Sequence, residues 1–120
     1  MILVDTSVWA DHLRAGPPEL AHALEAGLVY CHPFVIGELA CGNLSNPREV
    51  LELLSNLPGL PVATDQEALE FIERRGLMGR GIGYIDVHLL ASVVLEPPAR
   101  LWTLDRRLAA VASELGVAHS

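Results

Sequence analysis

MILVDTSVWADHL, residues 1–13, decides the fold. Met1 to Val4 is an apolar run without alternation, the pattern of a strand buried on both faces. Asp5 ends it, and Thr6 and Ser7 supply hydroxyls able to cap a helix from Val8 to about Ala15. A buried strand that leads straight into a helix is how a parallel-sheet α/β domain begins. In such folds ligands bind outside the carboxyl ends of the strands. Asp5 stands at that place; it reads either as a helix cap or, with Thr6 or Ser7 capping, as a spare carboxylate.

The same grammar continues along the chain. Gly16-Pro17-Pro18 stops the first helix, and a second runs from Glu19 to Ala26. Leu28–Cys31 reads as a strand, and Pro33 opens a helix to about Cys41. Asn46-Pro47 opens another with Val50, Leu51, Leu54 and Leu57 inward, and Pro58-Gly59 breaks it. Leu60–Ala63 reads as a strand weakened by Pro61. A helix follows from Asp65 to Arg74 or Arg75, then a glycine-rich loop over 77–83. Tyr84–Leu95 is a nearly all-apolar helix, Arg100–Thr103 a strand, Asp105–Leu115 a helix, and Gly116–Ala118 a last short strand. The expectation is an α/β fold in three layers, with a central, mainly parallel, five-stranded sheet flanked by helices.

Length and composition agree with one domain over residues 1–120. The 120 residues are 51% hydrophobic, enough for a core without disulfide or structural metal. Only 5% are aromatic, so packing rests on Leu, Val, Ile and Ala. The formal charge is −7, and all 8 basic residues are arginine, which excludes a basic nucleic-acid-coating protein. A polyanionic substrate stays possible if several acids share a pocket with a divalent cation. Cys31 and Cys41 form no CxxC and have no histidines at zinc-finger spacing, which points to a reduced, intracellular chain. Neither a signal peptide nor a membrane-spanning stretch is expected, and the expected location is cytoplasmic.

Four acids carry the chemistry. Asp5 follows the first strand. Glu38 shares a helix face with Phe34, Val35 and Cys41, so it is partly buried, aimed into a cleft, or turned out to solvent by a small helix rotation. Asp86 is the one acid between Glu73 and Glu96, early in an apolar helix, with Leu89 and Leu90 on its face. The helix dipole accounts for an acid there but not for its apolar face. Asp105 follows the last long strand, where an N-cap is the competing reading. A parallel sheet can bring all four to one rim. Carboxylates gathered so closely repel unless a cation lies between them, and an all-oxygen set suits Mg²⁺ or Mn²⁺.

LVDTSVWADHL at 3–13, IGEL at 36–39, YIDVHLLAS at 84–92 and LWTLDRRL at 101–108 together resemble the PIN domain, and more narrowly the VapC toxins of bacterial toxin–antitoxin modules. The resemblance spans nearly the whole chain with the motifs in order. It implies that Asp5, Glu38, Asp86 and Asp105 bind metal, and that Ser7 and Thr103 support them or position water. It also implies a metal-dependent endoribonuclease, an RNA substrate, a small antitoxin partner and a homodimer.

Other candidates are weaker. Arg80 in the glycine-rich loop and Arg106 after Asp105 are candidate RNA contacts, against the plainer reading of exposed arginines. The five histidines show no ligand spacing and read as surface or packing residues, and Trp9 and Trp102 as packing. Two other functions compete. An aspartate-based phosphotransfer domain would use Asp5 as nucleophile, but Ser7 stands where the haloacid-dehalogenase pattern wants a second Asp, and the lysine of a receiver domain is absent. A non-catalytic RNA- or protein-binding module would not need all four acids.

Overall fold

A computed structural model describes residues 1–16 and 18–120; the Pro17 of the expected Gly16-Pro17-Pro18 stop lies outside the described residues. The elements are β1 (Ile2–Val4), α1 (Thr6–Ala15), α2 (Pro18–Glu25), β2 (Val29–Tyr30), α3 (Pro33–Ala40), α4 (Pro47–Ser55), α5 (Asp65–Arg75), α6 (Tyr84–Leu95), β3 (Arg100–Trp102) and α7 (Arg106–Glu114). The sheet order is β2-β1-β3, all parallel. β1 is therefore central, and Ile2, Leu3 and Val4 are all buried, as its unbroken apolar run requires.

The expected five-stranded sheet is wrong: the sheet has three strands. The segment expected as the strand Leu60–Ala63 forms none; the single parallel bridge is just before it, Gly59 to Cys31. Cys31 N–H donates to Pro58 O at 2.8 Å and Leu60 N–H to Cys31 O at 3.4 Å. Pro61 follows without an N–H to continue a ladder. At the other edge Ala118 bridges Leu101. The chain leaves α7 through a turn at Gly116, whose φ of 74° favours glycine, and only Val117 O and His119 N–H reach Leu101. Each outer segment brackets one residue and stops.

α6 is the apolar pillar of the domain. Val87 through Val93 are all buried, and β3 and α5 pack against it. Trp9, Leu20, Leu54, Leu90, Leu101 and Leu108 complete the interior without a large aromatic cluster. α3 packs on α1 and α4. The frame thus holds the carboxyl ends of β1 and β3 beside the first turns of α1, α6 and α7.

Candidate active site

β1 ends where Asp5 N–H donates to Trp102 O at 2.9 Å, the last ladder bond between the two strands. That bond places the Asp5 side chain at the carboxyl rim, only 6% exposed. Asp5 is the N-cap of α1: its Oδ1 accepts from Thr6 N–H at 2.8 Å. Of the two readings left open by the sequence, a cap by Asp5 or by Thr6 or Ser7, the structure has the first. The hydroxyls of Thr6 and Ser7 are used on the acids instead. Ser7 Oγ and Thr103 Oγ1 donate to Asp5 Oδ2 at 2.9 and 2.7 Å, and Thr6 Oγ1 donates to Glu38 Oε1 at 2.7 Å.

The hydroxyls also tie the rim to the backbone. Ser7 Oγ accepts from Leu104 N–H at 3.0 Å, and Thr103 Oγ1 accepts from Asp105 N–H at 3.0 Å. Asp105 caps α7, its Oδ1 accepting from Arg107 N–H and Leu108 N–H at 2.9 and 3.0 Å. One network therefore joins Asp5, Ser7, Thr103 and Asp105, and Thr6 extends it from the first turn of α1 to Glu38 on α3. The cap and the rim position coexist at both aspartates.

Asp86 stands in the first turn of α6, its Oδ2 accepting from Gly83 N–H at 3.1 Å. Burial pushes its carboxyl above the ordinary aspartate range. The Gly83 hydrogen bond opposes the shift, while the negative charges of Asp5, Asp105 and Glu38 add to it. Asp86 thus feels all three of the other acids. Among the described residues, no arginine or histidine forms an ion pair with any of the four. Also among the described residues, no three carboxylate, imidazole or thiol groups already converge as a metal cage. The donor chemistry suits a hard divalent cation: anionic oxygens with no internal cation to neutralise them.

The candidate arginines are placed differently. Arg80 is held by Glu114 in a two-pronged ion pair at 2.8 and 2.9 Å. Arg106 is exposed in the first turn of α7. Arg107 lies along the glycine-rich loop, so close that a Cβ on Gly81 would stand 2.8 Å from its Cδ.

Sequence reasoning missed two things. One is Thr6 as the holder of Glu38, whose signal was a hydroxyl spare once Asp5 takes the cap. The other is a buried imidazole–aromatic group. His32 and His88 are each 1% exposed. Phe34 and Tyr84 stand edge-on to His88 at 4.8 and 4.7 Å. His32 Nδ1 accepts from Phe34 N–H at 3.0 Å, capping α3. Burial, with the nearby His88 adding to it, pushes the His32 pKa down to about 4.

The PIN domain family matches residues 2–114. Two curated relatives, the proteins named Ribonuclease VapC32 from Mycobacterium tuberculosis strains CDC 1551 and H37Rv, are each 52% identical over 118 residues. The match covers 98% of this chain and 95% of each relative.

Proposed function

The chain belongs to the PIN domain family, and on that footing we propose that it is a metal-dependent endoribonuclease, the toxin of a toxin–antitoxin pair. The observation that carries this reading is Asp86, a half-buried carboxylate under the combined charge of Asp5, Glu38 and Asp105 with no ion-paired partner for any of them among the described residues. A fold keeps such repulsion where an external cation relieves it.

Asp5, Glu38, Asp86 and Asp105 would hold Mg²⁺ or Mn²⁺, which when bound lowers the pKa of a water nucleophile and offsets charge on phosphate oxygens. The protein's own groups set the geometry. Ser7 and Thr103 each point a proton at Asp5 Oδ2 and so fix its rotamer. Thr6 keeps Glu38 on the rim, and Gly83 N–H fixes Asp86. Hydrolysis with water as nucleophile breaks the P–O3′ bond and leaves 5′-phosphate and 3′-hydroxyl ends. Among the described residues Arg106 has no ion-pair partner and can meet the RNA backbone; Arg80 must first release Glu114 to do so.

The substrate in this reading is a structured RNA cut at one or few sites in an accessible loop. The chain acts as one nuclease domain over residues 1–120, as a cytoplasmic homodimer countered by a small antitoxin. No described helix is long and apolar enough to cross a membrane. Sequencing 5′-phosphate RNA ends after inducing wild type and Asp5→Asn tests the reading. One or two dominant cuts that vanish in Asp5→Asn are expected. Growth inhibition that persists in Asp5→Asn without new ends would replace cleavage by binding.

A further inference from the structure

Glu38 belongs to more than the acidic rim. It also forms one wall of a cleft of about 570 Å³ between α3 and the start of α6, with Phe34, Gly37, Cys41, Tyr84 and Ile85. The size is that of a small-molecule pocket. Apart from Glu38 the walls are apolar or aromatic, so the cleft repels an anion and accepts a flat, uncharged group.

Two features indicate that the cleft is built for an occupant. The first is its rigid aromatic wall. Tyr84 is 43% exposed, yet its hydroxyl donates to Asp65 Oδ1 at 2.9 Å and its ring stands at 87° on the His88 imidazole. Phe34 rests on the same imidazole at 70°. Buried His88 therefore serves as a common support for both rings, which stay put without a ligand. The second is Gly37. Glycine is the poorest helix former after proline, and Gly37 lies inside α3. It needs no special backbone there: its φ is not positive, and a Cβ built on it meets nothing within 4 Å. The fold gains nothing from the missing side chain, whereas the cleft stays open because of it.

We propose that this cleft is a nucleobase pocket, receiving the unstacked base of a nucleotide beside the phosphodiester held at the acidic rim. The inference rests on the ribonuclease reading and adds to it a place for substrate recognition. Continuity through Glu38 puts the pocket within one nucleotide's reach of the rim. Bases stack on aromatic side chains with little regard to sequence, and loop bases of structured RNA are the ones free to splay outward.

Cys41 supplies the probe, because it is exposed on the cleft wall while Cys31 is buried. The rate of Cys41 alkylation by N-ethylmaleimide is measured on the full chain with Mg²⁺, alone and with two strands. One is a stem-loop RNA with a loop of random sequence, the other the same stem-loop strand with an abasic loop of equal length and charge. The RNA is expected to slow alkylation about tenfold and the abasic strand less than about twofold, the size of one lost base–aromatic stack. Gly37→Leu, which fills the cleft, and Tyr84→Ala, which removes a wall, should each abolish the difference while circular dichroism stays that of wild type. Equal protection by both strands overturns the pocket. So does RNA retained on the chain with no change at Cys41, or protection that tracks protein concentration alone and so marks a second copy. Protection by a basic peptide but not by RNA overturns it too. A chain that cuts RNA without base-dependent protection loses the pocket and keeps the nuclease. Base-dependent protection without cleavage does the reverse, and failure to bind any RNA defeats both.

Discussion

α3 and α6 each carry an acid and an imidazole, and treat the two in opposite ways. Glu38 and Asp86 face the rim, where hydroxyl and amide donors hold the carboxylates in place without neutralising them. His32, the N-cap of α3, and His88, on α6, are buried among aromatic edges, and His32 is held neutral by a pKa near 4. Asp86 and His88 are two residues apart on one helix, so the turn of about 200° between them decides which treatment each receives. Burial removes the charge of His32, whereas among the described residues no ion pair neutralises the four carboxylates. The proposed cation site rests on that contrast.

The widest separation between the two regions should come from Asp86→Asn. Loss of a principal electrostatic group at the rim should lower RNA cleavage by roughly 10²–10³-fold. The metal-free variant should nonetheless melt higher. The folded pKa of Asp86 is raised, so its favourable contribution is complete below the unfolded carboxylate pKa and is lost as pH rises through the raised value. At pH 7 the metal-free chain carries the cost of a buried carboxylate under like charges, and removing that charge should raise Tm. Initial rates and melting curves on the same preparation check both. A variant less stable and fully active would erase the distinction between rim and interior.

Thr6→Val probes the rim without touching an acid. It removes the 2.7 Å bond to Glu38 and keeps the helix start, because Asp5 does the capping. The expected loss is about 10–100-fold in metal affinity or activity, as for other residues that orient a ligand. Metal titration of rate checks it, and a loss under about threefold would show that Glu38 needs no holder.

The interior answers to pH in the opposite sense. An unfolded histidine titrates near 6.5 and folded His32 near 4. Neutral His32 contributes fully above about 6.5, and the contribution is lost as pH falls through about 4, on the order of 3 kcal/mol in all. Urea midpoints between these values should fall with pH in wild type and fall less in His32→Asn, which keeps a side-chain acceptor for the cap. Parallel slopes would place the acid sensitivity elsewhere.

Much of this was legible in the sequence, and the illegible parts share a cause. The apolar run of β1, the proline and glycine punctuation around α3 and α4, and the apolar length of α6 are local signals, and those elements stand close to where they were read. All four acids were named from strand ends and helix faces. The outer strands failed because Leu60–Ala63 and Gly116–Ala118 have strand-like residues, while ladder length depends on what lies opposite and on Pro61 having no N–H. The hydroxyl of Thr6 and the void beside Gly37 depend on how α1, α3 and α6 approach one another. No local pattern records that approach.

The central claim is that Asp5, Glu38, Asp86 and Asp105 act as one cation site. The direct measurement is Mn²⁺ binding to the purified chain, followed by electron paramagnetic resonance at pH 7.5. It is repeated for Asp5→Asn, Glu38→Gln, Asp86→Asn and Asp105→Asn, each shown to be folded. Saturable binding in wild type that weakens about tenfold or more in every one of the four variants is the predicted result. Wild-type affinity in any of the four would take that residue out of the site, and unchanged affinity in all four would contradict the account.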